Sequence, residues 1–83
     1  MKVWISKFAF SKGIYELDVE PSLTSPSMVV CKYANSFPEY FHGEGKEWHR
    51  TRDSAVRKAE EMRTRKIAAL KRQLSKLEKL SFV

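Results

Sequence analysis

The 83-residue chain has a mass of 9.7 kDa, a length that is typical of one domain with a small core. Hydrophobic residues make up 42% of the chain and aromatic residues 12%, and this content excludes a disordered tail. No apolar run approaches the roughly 20 residues of a membrane span. Lys7 and Lys12 interrupt any signal-peptide core, and the single cysteine, Cys31, excludes an internal disulfide. We therefore expect a cytoplasmic protein with no membrane partner.

The net charge of +6 is concentrated in the second part of the chain. Residues 1–49 carry five Lys and six Asp or Glu, whereas residues 50–83 carry eleven Lys or Arg and four Asp or Glu. All six arginines lie in this second part. Such an asymmetry favours an anionic partner, either nucleic acid, nucleotide or an acidic protein surface. The alternative is a solvated helix face that keeps a small protein soluble.

The first two apolar segments predict a β-hairpin. Residues 2–10 are rich in β-branched and aromatic types, which favours a strand, and residues 11–13 supply a turn that ends in glycine. Residues 14–20 alternate between apolar and acidic side chains, a period of two that indicates a half-buried strand. The apolar set is Tyr15, Leu17 and Val19, and the acidic set is Glu16, Asp18 and Glu20. A row of acids could bind a cation, but it is more often the solvated side of a sheet.

Two further strands are predicted after a loop. Residues 21–27 contain two prolines and four hydroxyl residues, which is typical of a loop. Residues 28–33 form an apolar run that predicts a buried strand, residues 34–38 predict a turn, and residues 39–42 predict a fourth short strand. The glycines that follow predict a tight hairpin or bulge with residues 46–49 as its returning arm.

A long helix is predicted from Thr51 onward, because the remaining sequence lacks Gly and Pro and is rich in strong helix formers. Thr51 is a good N-cap, and Asp53 complements the positive end of the helix dipole. A helix over residues 51–80 would be about 45 Å long, more than a small sheet can cover. Its second half must therefore project, fold back or pair with another chain. The apolar stripe consists of Val56, Ala59, Ile67, Leu70, Leu74 and Leu77.

The distal part of this stripe predicts a helical interface. Ile67, Leu70, Leu74 and Leu77 follow the 3-4-3 spacing of a helical seam, so we expect a homo-oligomer through the C-terminal helix, with core packing as the rival explanation. Arg63 also falls within the stripe by its helical angle. Its stem could lie along the sheet with the guanidinium in solvent, or the cation could point into a ligand or interface pocket.

We therefore predict an α+β fold, with a small antiparallel sheet of three or four strands and one long C-terminal α-helix. The chain would form a single domain, in which residues 1–50 are the β-sheet part and residues 51–80 the long basic helix.

The segment from Tyr40 to Arg52 is the predicted ligand site. Glycines let backbone amides approach a phosphate, a helix start favours negative charge, Arg binds phosphate, and Trp or His can stack on a base. In the alternative interpretation the glycines only serve a turn, and Trp48 fastens the helix to the sheet. The candidate ligand-binding residues are His42, Gly43, Gly45, Lys46, Trp48, His49, Arg50 and Arg52.

Catalytic and metal sites are not predicted. Cys31, His42 and His49 lack the spacing of a metal site, so no metal or cofactor is expected. Cys31 lies within an apolar run, where a thiol is usually inert, although a nucleophilic pair with His49 is conceivable. We expect a protein that is not an enzyme.

Three blocks of the sequence, KVWISK, YFHGEGKEWHRT and AEEMR, resemble small proteins of unassigned role that are encoded by tailed phages and prophages. The resemblance spans nearly the whole chain and implies a cytoplasmic accessory protein of an infected bacterium, with counter-defence as one role for such a protein. Three functions follow as hypotheses. The first is binding of an anionic nucleotide or oligonucleotide by the basic loop and helix start. The second is DNA or RNA binding by the arginine-rich helix, and the third is inhibition of an acidic or RNA-bearing host complex in the manner of an anti-CRISPR protein.

Overall fold

The computed structural model describes residues 1–32 and 37–82 and has the predicted α+β fold. It contains two small antiparallel sheets of three strands each, rather than one sheet, and one long C-terminal helix. The elements are β1 (Lys2–Ile5), α1 (Ala9–Lys12), β2 (Tyr15–Asp18), β3 (Glu20–Pro21), β4 (Met28–Cys31), β5 (Glu39–His42), β6 (Trp48–His49) and α2 (Arg52–Glu78). The predicted turn at residues 34–38 lies mostly outside the described residues, as does the last residue of the predicted third strand.

The first sheet has the strand order β2-β1-β6, and the second has the order β3-β4-β5. The predicted hairpin of the first two strands is confirmed, with Val3 opposite Leu17 in the antiparallel register. On the other edge of β1, Trp4 lies opposite His49 of β6. This pairing brings His49, three residues before the start of α2, into the first sheet, and so fixes where the long helix begins.

The predicted strand over residues 2–10 is too long, because β1 ends at Ile5 and residues 9–12 form the short helix α1. The alternation of buried and exposed side chains stops at Ser6, which is fully buried directly after buried Ile5. The chain turns there, and the ring of Phe8 packs edge-on against Phe41 with centroids 6.4 Å apart. Tertiary packing therefore overrides the local β propensity of this segment.

Two predicted strand pairings are also corrected. The alternating segment 14–20 is not one strand, because it leaves the first sheet at Val19 and continues as β3 in the second. The segment 39–49 is not a hairpin, because β5 pairs with β4 whereas β6 pairs with β1. The glycine-containing segment between β5 and β6 is thus a crossover between the two sheets.

One hydrophobic core is shared by both sheets. Val19, at the crossover from β2 to β3, is buried in this core, as is Phe41 of β5. The buried cluster consists of Val3, Ile5, Val19, Val29, Cys31, Phe41 and Trp48. Because side chains from both sheets meet here, the two sheets stabilise each other although no strand joins them side by side.

The long helix begins where the sequence predicts. Thr51 is the N-cap of α2, and its side-chain oxygen accepts a hydrogen bond from the amide of Ser54 at 3.2 Å. Within the helix only Ala55 is fully buried. The helix is therefore fastened to the first sheet by its N-terminal part alone.

The distal part of α2 projects away from the sheets. The radius of gyration is 17.3 Å, whereas a compact chain of this length would have a radius of about 12 Å. The longest dimension is 58 Å and the other two are 28 and 22 Å. The second half of the helix therefore projects rather than folding back onto the sheets, and its pairing with another chain stays a prediction.

Candidate binding surfaces

The loop between β5 and β6 is a tight turn whose backbone amides are engaged within the protein. Gly43 and Gly45 have positive φ angles of 87° and 80°, which side-chain-bearing residues rarely adopt. The Gly43 amide donates to the Ser27 carbonyl and the Gly45 amide to the Trp48 carbonyl, both at 2.8 Å. The amides of Lys46 and Glu47 donate to the Gly43 carbonyl at 3.0 and 3.1 Å. These amides stabilise the turn and do not form a phosphate cradle.

Trp48 is buried, with only 2% of its surface exposed. Its indole Nε1–H donates to the carbonyl of Ser27 at 2.9 Å, so the side chain satisfies its polar atom inside the protein. This placement matches the alternative interpretation from the sequence, in which Trp48 fastens the elements together. A base could stack on it only after the core opened.

His49 is also buried, at 1% exposure, and both ring nitrogens have partners. Nε2 lies 2.8 Å from the hydroxyl of Ser6, and Nδ1 lies 2.8 Å from the hydroxyl of Ser54 in the first turn of α2. Ser6 in turn donates its hydroxyl to the Lys46 carbonyl at 2.9 Å. The Ser6 oxygen must therefore accept from Nε2–H, which leaves Nδ1 to accept from Ser54.

Burial lowers the pKa of His49 below its ordinary value of 6.5, because the charged imidazolium would lose its hydration. The carbonyl of Lys46 acts in the opposite direction, and the positive charge of Lys58 lowers the pKa further. The neutral ring thus holds a chain of hydrogen bonds that connects α2 to the first sheet. Ser6 is fully buried, so this Ser–His pair lies inside the protein.

Two of the exposed cations near this loop, Arg50 and Lys7, pair with nearby acids. Arg50 pairs with Glu44, and its guanidinium lies 5.6 Å from the centroid of the Trp48 ring. Lys7 pairs with Glu47 at 3.7 Å, and the same carboxylate accepts a hydrogen bond from the His42 amide at 2.7 Å. The predicted ligand residues therefore divide into two groups. Trp48 and His49 are internal, whereas the side chains of His42, Lys46, Arg50 and Arg52 are exposed.

Charge is divided unequally between the two-sheet body and the helix. Residues 1–51, which we call the body, carry six Lys or Arg and six Asp or Glu. Residues 52–79, which are α2 and its C-cap Lys79, carry ten Lys or Arg and four Asp or Glu and thus the whole net charge of +6. The ion pairs of the body are Lys2–Glu16, Lys7–Glu47, Lys32–Glu20, Arg50–Glu44 and the N-terminal amine with Asp18.

Four cations near the C-terminal end of α2, one of them the C-cap residue, lie on one side of the helix and are here called the basic face: Arg65, Arg72, Lys76 and Lys79. At about 100° per residue these positions fall within roughly 60° of arc, and they extend about 21 Å along the axis. Arg65 pairs with Glu61 at 2.6 Å. None of the ion pairs found among the described residues involves the other three cations. Arg72, Lys76 and Lys79 are therefore available to an external anion.

The opposite side of distal α2 is apolar. Ile67, Leu70, Leu74 and Leu77, here called the apolar seam, are 45, 48, 56 and 64% exposed. The seam is centred about 180° from the basic face. Near the body it approaches an open cleft of about 200 Å³ between α1 and α2. The cleft is lined by Ala9, Phe10, Ile14, Val56, Ala59, Glu60 and Arg63. The predicted self-association through the seam stays a prediction, since the structure is of one chain.

In the described part of the chain, Cys31 and His49 do not form the nucleophilic pair that the sequence left open. Cys31 is buried in β4, and the nitrogens of His49 contact serines. No group of three His, Cys, Asp or Glu residues in the ranges 1–32 and 37–82 could hold a metal ion. No helix among the same residues is long and apolar enough to cross a membrane.

Comparisons with protein-family models, curated proteins and solved structures find no match. The resemblance to phage and prophage proteins therefore stays a prediction. The two partners of His49 were not predicted from the sequence: Ser6 lies 43 positions away, where no motif signals a contact, and Ser54, only five positions away, is not part of any recognised motif. The basic face was not predicted as a separate surface, although the helical angles of its four cations can be calculated from the sequence.

Proposed function

We propose that this protein binds nucleic acid and that the basic face of α2 makes the contact. The observation that supports the proposal best is the division of charge. The body has no net charge and forms internal ion pairs, whereas α2 and its C-cap Lys79 carry the whole net charge of +6. A nucleic acid suits such a surface, because duplex DNA carries one negative charge per about 1.7 Å of its axis.

The dimensions of the basic face favour a polynucleotide over a single nucleotide. The row from Arg65 to Lys79 extends about 21 Å, so that successive cations can meet successive phosphates along a strand. A mononucleotide would contact only part of this row. The loop expected to hold such a small ligand uses the amides of Gly43, Gly45 and Lys46 within its own turn.

We expect the contact to be independent of base sequence. Arginine and lysine side chains on one helix face reach phosphate oxygens, which fix position but carry no sequence information. Arg65 and Arg72 can each bind a phosphate through two N–H groups, whereas Lys76 and Lys79 act as point charges. In the setting that the phage resemblance implies, the nucleic acid would belong to the host cell or to a host defence complex.

The experiment is a fluorescence anisotropy titration with labelled single-stranded and duplex oligonucleotides of about 20 nucleotides at low salt. The test variant combines Arg72→Gln, Lys76→Gln and Lys79→Gln, because glutamine removes charge and keeps helix propensity. The matched control combines Lys2→Gln, Lys12→Gln and Lys32→Gln, which removes the same charge from the body. Circular dichroism verifies that both variants keep their helix content.

The proposal predicts micromolar binding by the unmodified protein, as is typical of non-specific contacts. The basic-face variant should lose at least about tenfold in affinity, and the body variant should change by less than about twofold, because only the first removes phosphate contacts. Equal losses in the two variants would show that only total charge matters and would contradict the assignment to α2. Absence of binding to any oligonucleotide would contradict the function itself.

A further inference from the structure

We infer that the apolar seam and the cleft between α1 and α2 form one docking surface for an acidic amphipathic helix of another protein. Val56 and Ala59 line the cleft, and they occupy the same side of α2 as Leu70 and Leu74 of the seam. The surface from Val56 to Leu77 is about 32 Å long, which suits a partner helix of about six turns. It lies opposite the basic face, so the inference does not depend on nucleic-acid binding.

Several large apolar side chains are exposed along this surface. The seam residues remain 45 to 64% exposed, and Phe10 at the cleft is 61% exposed. Contiguous exposed apolar surface of this kind is typical of an interaction site. The 3-4-3 spacing of the seam matches the apolar positions of a pairing helix, which packs its own side chains between them.

The charges beside the seam favour an acidic partner over a second copy of this chain. Residues 63–80 carry seven Lys or Arg and a single acid, Glu78. By their helical angles Lys66 and Lys71 flank the seam on its two sides, where the residues of a pairing helix would lie closest. Two copies would place these like charges together, whereas glutamates or aspartates on a partner would be attracted to them.

Arg63 adds a specific contact at the junction of the cleft and the seam. Its helical angle lies in the centre of the apolar stripe, and its side chain lines the cleft beside Phe10 and Ile14. None of the ion pairs among the described residues involves Arg63. On a partner helix, a carboxylate would therefore pair with the guanidinium, and an apolar side chain beside it would fill the cleft.

The probes for this inference are two synthetic helical peptides of about 21 residues, three heptads in length. Both have Ile and Leu at the apolar heptad positions. One has Glu at all flanking positions, and the other has Lys there. Binding of each peptide to the full chain is measured by isothermal titration calorimetry at low and high salt, and the oligomeric state of the chain alone is measured by analytical ultracentrifugation.

We expect the glutamate peptide to bind at least about tenfold more tightly than the lysine peptide at low salt, and the ratio to fall at high salt as the charges are screened. Leu70→Gln with Leu74→Gln should abolish this binding, and Arg63→Gln should weaken it. Leu23→Gln with Phe37→Gln is the matched control, since both side chains are at least 93% exposed on the body. The chain alone should sediment as a monomer at micromolar concentration.

Three results would overturn the inference. Equal binding of the two peptides would show that charge does not select the partner. Failure of both peptides to bind would show that the surface does not accept a helix. A dimer of the unmodified chain that Leu70→Gln with Leu74→Gln converts to monomer would assign the seam to a second copy. Because the seam is exposed, this double variant should keep the fold, which the thermal unfolding transition verifies.

Discussion

The imidazole of His49 and the hydroxyl of Ser54 lie 2.8 Å apart and connect the last residue of β6 to the first turn of α2. On the other side of the ring, Nε2 reaches the hydroxyl of Ser6 at the same distance. His49, one of the predicted ligand-binding residues, is therefore an internal residue that holds α2 to the body. Because the helix carries the proposed binding faces, this contact fixes their position relative to the sheets.

The first prediction is that the protein loses stability as the pH falls below about 6.5. Burial lowers the pKa of His49 in the folded state, so between the folded and unfolded pKa values the unfolded chain binds more protons. The contribution of His49 to the free energy of unfolding is complete above pH 6.5. It decreases as the pH falls and levels off below the pKa of His49 in the folded state. Urea unfolding across this range measures the effect.

Substitution of each histidine provides the control for this pH profile. His49→Gln should remove the decrease that begins below about pH 6.5, because no titrating group remains at that position. His42→Gln should keep it, since His42 is exposed. A decrease that persists unchanged in His49→Gln would assign the titration to other groups.

The second prediction concerns the start of α2. Thr51→Ala should lower the free energy of unfolding by about 1 kcal/mol, because the amide of Ser54 loses its acceptor. Thr51→Ser preserves the hydroxyl and should cost much less. Chemical denaturation of the two variants compares them, and equal stability of the alanine variant and the unmodified protein would contradict the capping role.

The third prediction concerns Trp48. Trp48→Ala should destabilise the protein by about 3 to 5 kcal/mol, because a fully buried indole is removed from the shared core. Trp48→Phe should cost less, since it keeps most of the packing and loses mainly the hydrogen bond to Ser27. Thermal unfolding measures both, and a loss below about 1 kcal/mol for alanine would mean that Trp48 is not buried.

Much of the fold could be predicted from the sequence where the signal is local. Thr51 is an N-cap because its hydroxyl is near the first-turn amides, and Gly43 has a positive φ because a tight turn requires it. The division into two sheets could not be predicted, because the alternation of residues 14–20 continues unchanged through Val19. The interior position of His49 depends on Ser6, which lies 43 positions away in the chain.

The fourth prediction tests whether oligonucleotides bind to the basic face of α2 or to the arginines that follow the loop between β5 and β6. Arg50→Gln with Arg52→Gln should reduce oligonucleotide affinity by less than about threefold, because Arg50 already pairs with Glu44 and neither residue lies on the basic face. The melting temperature should remain nearly unchanged, since both side chains are exposed. Loss of binding equal to that of the basic-face variant would restore the loop as the ligand site.

The most direct test of the proposed function is the salt dependence of oligonucleotide affinity. If the four cations of the basic face each neutralise one phosphate, the logarithm of the association constant for duplex DNA should fall with the logarithm of salt concentration at a slope of about −3.5. The variant that combines Arg72→Gln, Lys76→Gln and Lys79→Gln should reduce this slope to about −1. A slope that is near zero in the unmodified protein, or the same in the variant, would contradict binding through the basic face of α2.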